Sequence, residues 1–315
     1  MGLRLPDTVT LVEVGLRDGL QSVGHAVSTG TKLRLLQALY AAGVRAMEVT
    51  SFVSPAAVPQ FTDAEEVARA ALALPELRVS ALIPNLRGWE RARGAGVREV
   101  TVVIGATDPF NIANVRMTVD QSLAQLAGIM DAAGAEPGVA VEVGIAVAFG
   151  CPYTGHVPLA AVRRIVDRSL ELGVASVSLA DTIGVATPLD VVRAVTGIRA
   201  AYPNLPLSLH LHDTRGMGLA NALAALHVGV TTFDGAVGGL GGCPFAPGAA
   251  GNVATDDLNN MLVGMGISTG IDQDGLLACG GILRDEVTAD LPSHTLRVFL
   301  GHTARRGDPN GASAG

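Results

Sequence analysis

Short apolar runs and longer amphipathic runs alternate along the chain, and this alternation restricts the fold more than any other feature of the sequence. Val9–Val14, Arg45–Thr50, Arg78–Leu82, Glu99–Ile104, Val139–Ala148, Ser176–Ala180, Leu207–Leu211 and Thr231–Asp234 read as strands. Thr31–Ala42, Thr62–Leu74, Leu86–Gly94, Val119–Ala133, Leu159–Leu172, Pro188–Ala201 and Gly218–His227 read as helices, and a further helix starts at Thr255 after a long glycine-rich loop. Strands that each hand over to a helix lie parallel in one sheet. Eight such units point to α/β architecture of the closed (β/α)8 TIM-barrel kind, and 315 residues suit one such domain. Asp272–Thr288 reads as an extra C-terminal helix, so residues 1–302 are expected to form a single domain. The Arg-, Gly-, Asn- and Ser-rich end, Thr303–Gly315, reads as a disordered tail.

Composition narrows the function. Apolar residues make up 49% of the chain and aromatic residues only 3%, so the core must be built from Ala, Val, Leu and Ile, as parallel strands under helices require. A net charge of −7 argues against nucleic acid as a partner but leaves room for a phosphorylated ligand held by a few local donors. Cys151, Cys243 and Cys279 are far apart and form no CxxC pair, which argues against a disulfide framework or a structural zinc site. The opening residues Met1–Pro6 show no secretory pattern, and no apolar run approaches the roughly 20 residues of a membrane span, so a cytoplasmic chain is expected. Lys32 is the only lysine, and it sits in the first helical run. Schiff-base and pyridoxal chemistry both need an active-site lysine, so both are disfavoured. Neither a dinucleotide fingerprint nor a phosphate loop is present, since Gly238–Pro244 has the wrong spacing for either.

Active sites of such barrels lie at the C-terminal ends of the strands. The first strand ends in Arg17-Asp18, where the Asp can bind a metal and the Arg can polarise a carbonyl, or the two can form a plain ion pair. The second carries Glu48, a carboxylate in an apolar strand that needs a partner such as Arg17 or a shifted pKa. The seventh ends in His210-Leu211-His212, and residues two apart on a strand project to one side, so both rings can reach one ion. Asp181, ending the sixth, could hold a histidine or cap the next turn. The loop after the last strand brings Cys243, a candidate acid or base, and Asn252, an oxygen ligand. A mixed oxygen and nitrogen set of Asp18, His210, His212 and Asn252 favours Mg²⁺ or Mn²⁺.

The segments Val12–Gln21, Glu48–Pro55, Asp181–Val185, His210–Thr214 and Gly239–Ala246, followed by Gly251–Thr255, resemble the 3-hydroxy-3-methylglutaryl-CoA lyases over about Val9 to Asp285. The Arg-Asp-Gly start and the His-x-His strand are shared with a wider metallolyase superfamily. The resemblance implies cleavage of the C2–C3 bond of a 3-hydroxyacyl-CoA, giving acetyl-CoA and a 3-oxo acid. It implies metal ligation by Asp18, His210, His212 and Asn252, with enolate stabilisation by Arg17. It also implies acid–base work by Cys243, support from Glu48 and Asp181, and substrate contacts from Arg17, Gln21 and Thr182. A homodimer acting on a small acyl-CoA, away from membranes and nucleic acids, is the implied working form.

The chain departs from that family where Gly144 and Ala146 replace a frequent tyrosine and serine, where Ile112 and Ala113 stand near a usual lysine, and at Arg215 and Met217. Smaller residues at 144 and 146 should leave more room near the acyl group. Competing readings are a lyase for citramalyl-CoA or a longer branched 3-hydroxyglutaryl-CoA, a Claisen-type acyltransferase of the same superfamily, and a barrel that binds CoA or metal without turnover.

Overall fold

The computed structural model describes residues 5–134, 136–242 and 251–306. Eight parallel strands close into a barrel in the order β1 (Thr10–Glu13), β10 (Thr232–Gly235), β9 (Leu207–Leu211), β8 (Ser176–Asp181), β5 (Ala140–Ala146), β4 (Glu99–Gly105), β3 (Arg78–Leu82) and β2 (Ala46–Ser51), with β2 returning to β1. A short antiparallel hairpin, β6 (Gly150–Cys151) and β7 (Gly155–His156), lies outside the barrel.

Strand chemistry follows from β-branched content and from alternation. In β4, Val100, Val102 and Ile104 are buried in the main apolar cluster, while Thr101 and Val103 line the barrel cavity. In β5, Val141, Val143 and Ile145 pack in the same cluster, and Glu142, Gly144 and Ala146 line the cavity.

The outer layer comprises α1 (Thr29–Ala41), α2 (Ala64–Leu72), α3 (Leu86–Gly94), α4 (Asp108–Val115), α5 (Val119–Gly134), α6 (Leu159–Glu171), α7 (Pro188–Ala201), α8 (Gly218–His227) and α9 (Thr255–Gly264). Their starts are set by side chains that accept from otherwise unpaired N–H groups. Ser28 accepts from Thr31 N at 3.1 Å, Asn85 from Gly88 N at 3.0 Å, and Thr187 and Asp190 form a reciprocal capping box. Gly43, just past α1, adopts φ 96° and packs against Gly270, a turn that a side chain would obstruct.

Beyond the barrel, α10 (Gln273–Glu286) packs on α1, matching the extra C-terminal helix expected from the sequence. A further helix, α11 (His294–Arg306), extends into the start of the segment read as a tail, and residues 307–315 lie outside the described ones. Among the described residues no helix is long and apolar enough to cross a membrane.

Lys32 does sit on an outer helix, but its ammonium is buried, bound to Asp63 at 2.7 Å and to the carbonyl of Gln60. It takes no part in lining the central cavity. Cys151 and Cys279 are buried free thiols.

Candidate active site

The end of β1 passes into a single π-helical turn, Gly15–Gly19. The N–H groups of Arg17, Asp18 and Gly19 converge on the Val14 carbonyl at 3.0, 2.7 and 3.2 Å. Wide turns of this kind recur at functional sites, and this one directs Arg17 and Asp18 into the cavity. Glu13 fixes its base. One carboxylate oxygen accepts from Gly15 N at 2.7 Å and Val237 N at 3.0 Å, and the other accepts from the Thr255 hydroxyl at 2.6 Å. Gly15 leaves room for this bracket, because a Cβ there would run into the Glu13 carboxylate.

Arg17 is almost wholly buried. Its Nε donates to Glu48 and its Nη1 to Asp18. Burial opposes the guanidinium charge, but the carboxylates of Glu48 and Asp18 outweigh it and raise the pKa. Burial also pushes Glu48 up, with Arg17 opposing. For Asp18 the balance is reversed: burial works against its charge, yet Arg17, His210 and His212 hold the carboxyl below the usual range. The ion pair and the functional site are therefore one arrangement, in which Glu48 and Asp18 orient a permanently charged guanidinium.

His210 and His212 face one another with Nε2 to Nε2 at 3.1 Å. Each Nε2 stands 3.9 to 4.0 Å from Asp18 Oδ2. His210 donates from Nδ1 to Asp234 at 3.0 Å, which leaves its Nε2 lone pair toward His212 and Asp18. Burial favours neutral imidazole at both rings. The hydrogen bond to Asp234 and the charge of Asp18 outweigh it at His210, whereas at His212 burial and the neighbouring His210 bring the pKa down to about 4. Asn252 donates to Asp18 Oδ2 at 2.9 Å and to the Leu240 carbonyl at 3.1 Å.

This set fits a divalent cation. One ligand atom from each of Asp18, His210 and His212 lies within 4.8 Å of the others. Two ligands at right angles around an ion, each about 2.1–2.2 Å from it, stand roughly 3 Å apart, as the two Nε2 atoms do. The buried Asn252 Oδ1 has no hydrogen-bond partner among the described residues, an expensive state for an amide oxygen unless something else binds it. Mixed carboxylate, imidazole and amide donors suit Mg²⁺ or Mn²⁺.

A cavity of about 1050 Å³ opens on these groups and is lined by Arg17, Asp18, Gln21, Glu48, Thr182, His210 and His212, among others. Thr182 accepts from Val147 N at 2.8 Å, so its hydroxyl proton remains available. Val147 holds φ 51°, a strained conformation for a β-branched residue, immediately beside the site.

Of the two roles the sequence offered Asp181, the structure shows the turn cap. Asp181 accepts from the Val185 and Ala186 N–H groups at 2.9 and 3.0 Å, and so anchors the turn after β8. The carboxylate that holds a histidine is Asp234. The register explains this: Ala180 pairs with His210 and Asp181 with Leu211, so Asp181 points to the other face. Asp234 and Glu13 escaped the sequence reading, although each is a carboxylate ending an apolar strand, the signal that singled out Glu48. Cys243 lies outside the described residues.

The HMGL-like family model matches residues 8–281. The (R)-citramalyl-CoA lyase of Chloroflexus aurantiacus is 40% identical over 297 residues, covering 91% of this chain and 93% of that protein. The mitochondrial hydroxymethylglutaryl-CoA lyase of Mus musculus is 42% identical over 279 residues, covering 89% and 86%. An HMG-CoA lyase structure from Acinetobacter baumannii, in complex with coenzyme A and 3-methylmalate, superposes with a TM-score of 0.86 at 40% identity, covering 92% of this chain and 95% of that one.

Proposed function

Since the chain belongs to the HMGL-like family, we propose that it is a divalent-metal-dependent carbon–carbon lyase that splits 3-hydroxy-3-methylglutaryl-CoA into acetyl-CoA and acetoacetate. The observation that carries this reading is the convergence of Asp18, His210 and His212 beside the buried Arg17 guanidinium.

Asp18, His210, His212 and the Asn252 amide oxygen would hold Mg²⁺ or Mn²⁺. When bound, the ion supplies Lewis acidity that makes a substrate hydroxyl easier to deprotonate. The protein's part begins with orientation. Asp234 fixes the His210 ring, and Glu48 and Asp18 hold two nitrogens of Arg17. The third, Nη2, keeps its donors among the described residues and would bind the thioester carbonyl oxygen. Cys243, the proposed acid–base, would take the hydroxyl proton as the C3–OH becomes a ketone and the C2–C3 bond breaks, and the bonding pair passes to C2 as an acetyl-CoA enolate. Negative charge grows on the thioester oxygen, where a preorganised cation lowers the barrier. A proton returned to C2 completes acetyl-CoA, and Cys243 is the residue proposed to handle it. Gln21 and Thr182 line the same cavity and would contact the substrate.

A second reading is cleavage of citramalyl-CoA to acetyl-CoA and pyruvate, favoured by the 40% identity to the Chloroflexus enzyme. It uses the same groups. The family resemblance also implies a homodimer, which sedimentation would check.

The test is direct. The protein is incubated with Mg²⁺ or Mn²⁺, a reducing agent and 3-hydroxy-3-methylglutaryl-CoA, with Cys243→Ala and His210→Ala in parallel. Metal-dependent release of acetyl-CoA and acetoacetate that collapses in both variants is the expected result. A folded, metal-loaded protein that leaves this thioester intact but cleaves citramalyl-CoA would decide for the second reading.

A further inference from the structure

Barrel interiors are ordinarily plugged by layers of Val, Ile and Leu. Here three adjacent strands bring only a valine, a glycine and a serine to the layer beneath the histidines. Val103, Gly144 and Ser178 are successive register partners on β4, β5 and β8, and all three line the cavity. One inward step higher, Ala146 and Ala180 line it too, and Ala180 is the register partner of His210. Gly144 is not there for backbone reasons. Its φ is not in the left-handed region. A Cβ on it would meet the Val103 and Thr101 methyl groups at 3.5 and 3.7 Å, ordinary contact distances. The effect of glycine at this position is therefore open volume, continuous with the space in front of His210.

The chemistry of that volume is graded. Its upper wall is apolar, from Ala146 and Ala180. One layer down, level with Val103 and Gly144, the buried Ser178 hydroxyl has no hydrogen-bond partner among the described residues, and below it Glu142 forms part of the floor. Burial and the negative charges of Asp234 and Glu48 push the Glu142 carboxyl up to about 7. A further anion in this space would be repelled, whereas an uncharged chain would not.

We propose that this space is an acyl subsite, so that the protein cleaves 3-hydroxyacyl-CoA thioesters whose C3 carries a neutral branch longer than methyl, seated between Gly144, Ala146, Ser178 and Ala180. The proposal rests on the lyase reading above. Two residues of strand span roughly 6.6 Å, which sets the branch at about four carbons.

The test compares kcat/KM for 3-hydroxy-3-methylglutaryl-CoA, for the homologue with n-butyl in place of the C3 methyl, and for the 4-carboxybutyl homologue. These are run on the wild type, on Gly144→Leu and on the milder Ala180→Val, each checked for folding by circular dichroism. The wild type is expected to cleave the butyl thioester within tenfold of the methyl one and the carboxybutyl thioester at least tenfold more slowly than the butyl one. Filling the layer is expected to lower the butyl-to-methyl ratio at least tenfold in either variant that folds. Cleavage of the methyl thioester with the butyl one more than tenfold slower, or an unmoved ratio in a folded variant, would overturn the subsite and leave the lyase reading intact. A carboxybutyl thioester cleaved as fast as the butyl one would overturn the neutral-branch requirement. Cleavage of none of them by protein that cleaves citramalyl-CoA would overturn the subsite and leave the second lyase reading, and cleavage of none of them, citramalyl-CoA included, would overturn the lyase reading and the subsite with it.

Discussion

His210 and Asp234 are register partners on adjacent barrel strands, and His210 Nδ1 lies 3.0 Å from Asp234 Oδ2. The sheet itself thus sets the orientation of the imidazole. A carboxylate that accepts from Nδ1–H fixes the tautomer and strengthens Nε2 as a ligand. Asp234→Asn should therefore weaken Mn²⁺ binding about 10- to 100-fold with little change in fold. Titration calorimetry on chelator-stripped protein reads this, with His212→Ala as the reference for loss of a direct ligand. Unchanged Mn²⁺ affinity in Asp234→Asn would remove Asp234 from the site.

Arg17 joins stability to catalysis, and the two can be separated. Removing it leaves Glu48 buried and unpaired, a change that costs about 3–5 kcal/mol in comparable pairs. Arg17→Met should accordingly lower the urea midpoint and cut kcat by about 10²–10³, the usual effect of deleting an oxyanion donor. Adding Glu48→Gln removes the orphaned charge. The double variant should recover much of the stability and none of the activity. Recovery of cleavage in the double variant would mean that Arg17 acts only as a counter-ion.

The barrel was legible because short apolar-rich runs alternate with longer amphipathic ones along the chain. Arg78–Leu82, Leu207–Leu211 and Pro188–Ala201 have the bounds that their patterns predict. What escaped was short or polar. Helix α4 has eight residues with Pro109 in its first turn and two asparagines, so it shows no apolar stripe. The β6–β7 hairpin has two residues per strand, too few for alternation to register. Within the site, residue type alone pointed to Arg17, Asp18, Glu48 and the His210–His212 pair. Choosing between Asp181 and Asp234 required the strand register, since both are aspartates that follow an apolar run. The bracket made by Glu13 depends on Val237 and Thr255, more than 200 residues away in sequence, and no local pattern encodes that distance.

Asn111 on α4 tests the anchoring of the β4 loop. It is fully buried, accepts from Gly105 N at 2.9 Å, and donates to the Met117 carbonyl at 2.9 Å and the Ser122 hydroxyl at 2.7 Å. Asn111→Ala strands these partners in the core and should cost about 2–4 kcal/mol. A lower urea midpoint at unchanged m-value is the expected signature. A loss below about 1 kcal/mol would show that water replaces the amide there.

Glu13 gives a pH prediction with a definite sign. Burial pushes its carboxyl from 4.5 up to about 7, despite hydrogen bonds from Thr255, Val237 and Gly15 that pull the other way. The folded state therefore binds more protons than the unfolded state between these values. Its stability contribution is fully present below about pH 4.5 and is lost as pH rises through 7. A shift of that size corresponds to about 3 kcal/mol. Glutamine mimics the protonated acid: its oxygen can still accept from Gly15 and Val237, and the Thr255 hydroxyl can turn to accept from the amide. Glu13→Gln should thus match the wild type near pH 5 and exceed its stability at pH 8 by up to about 3 kcal/mol. Glu142, shifted in the same direction, keeps a residual slope in the single variant, so the comparison is between variant and wild type at each pH. Urea denaturation at the two pH values checks it. A variant no more stable than the wild type at pH 8 would show that Glu13 is ionised in the folded protein and that its three donors outweigh its burial.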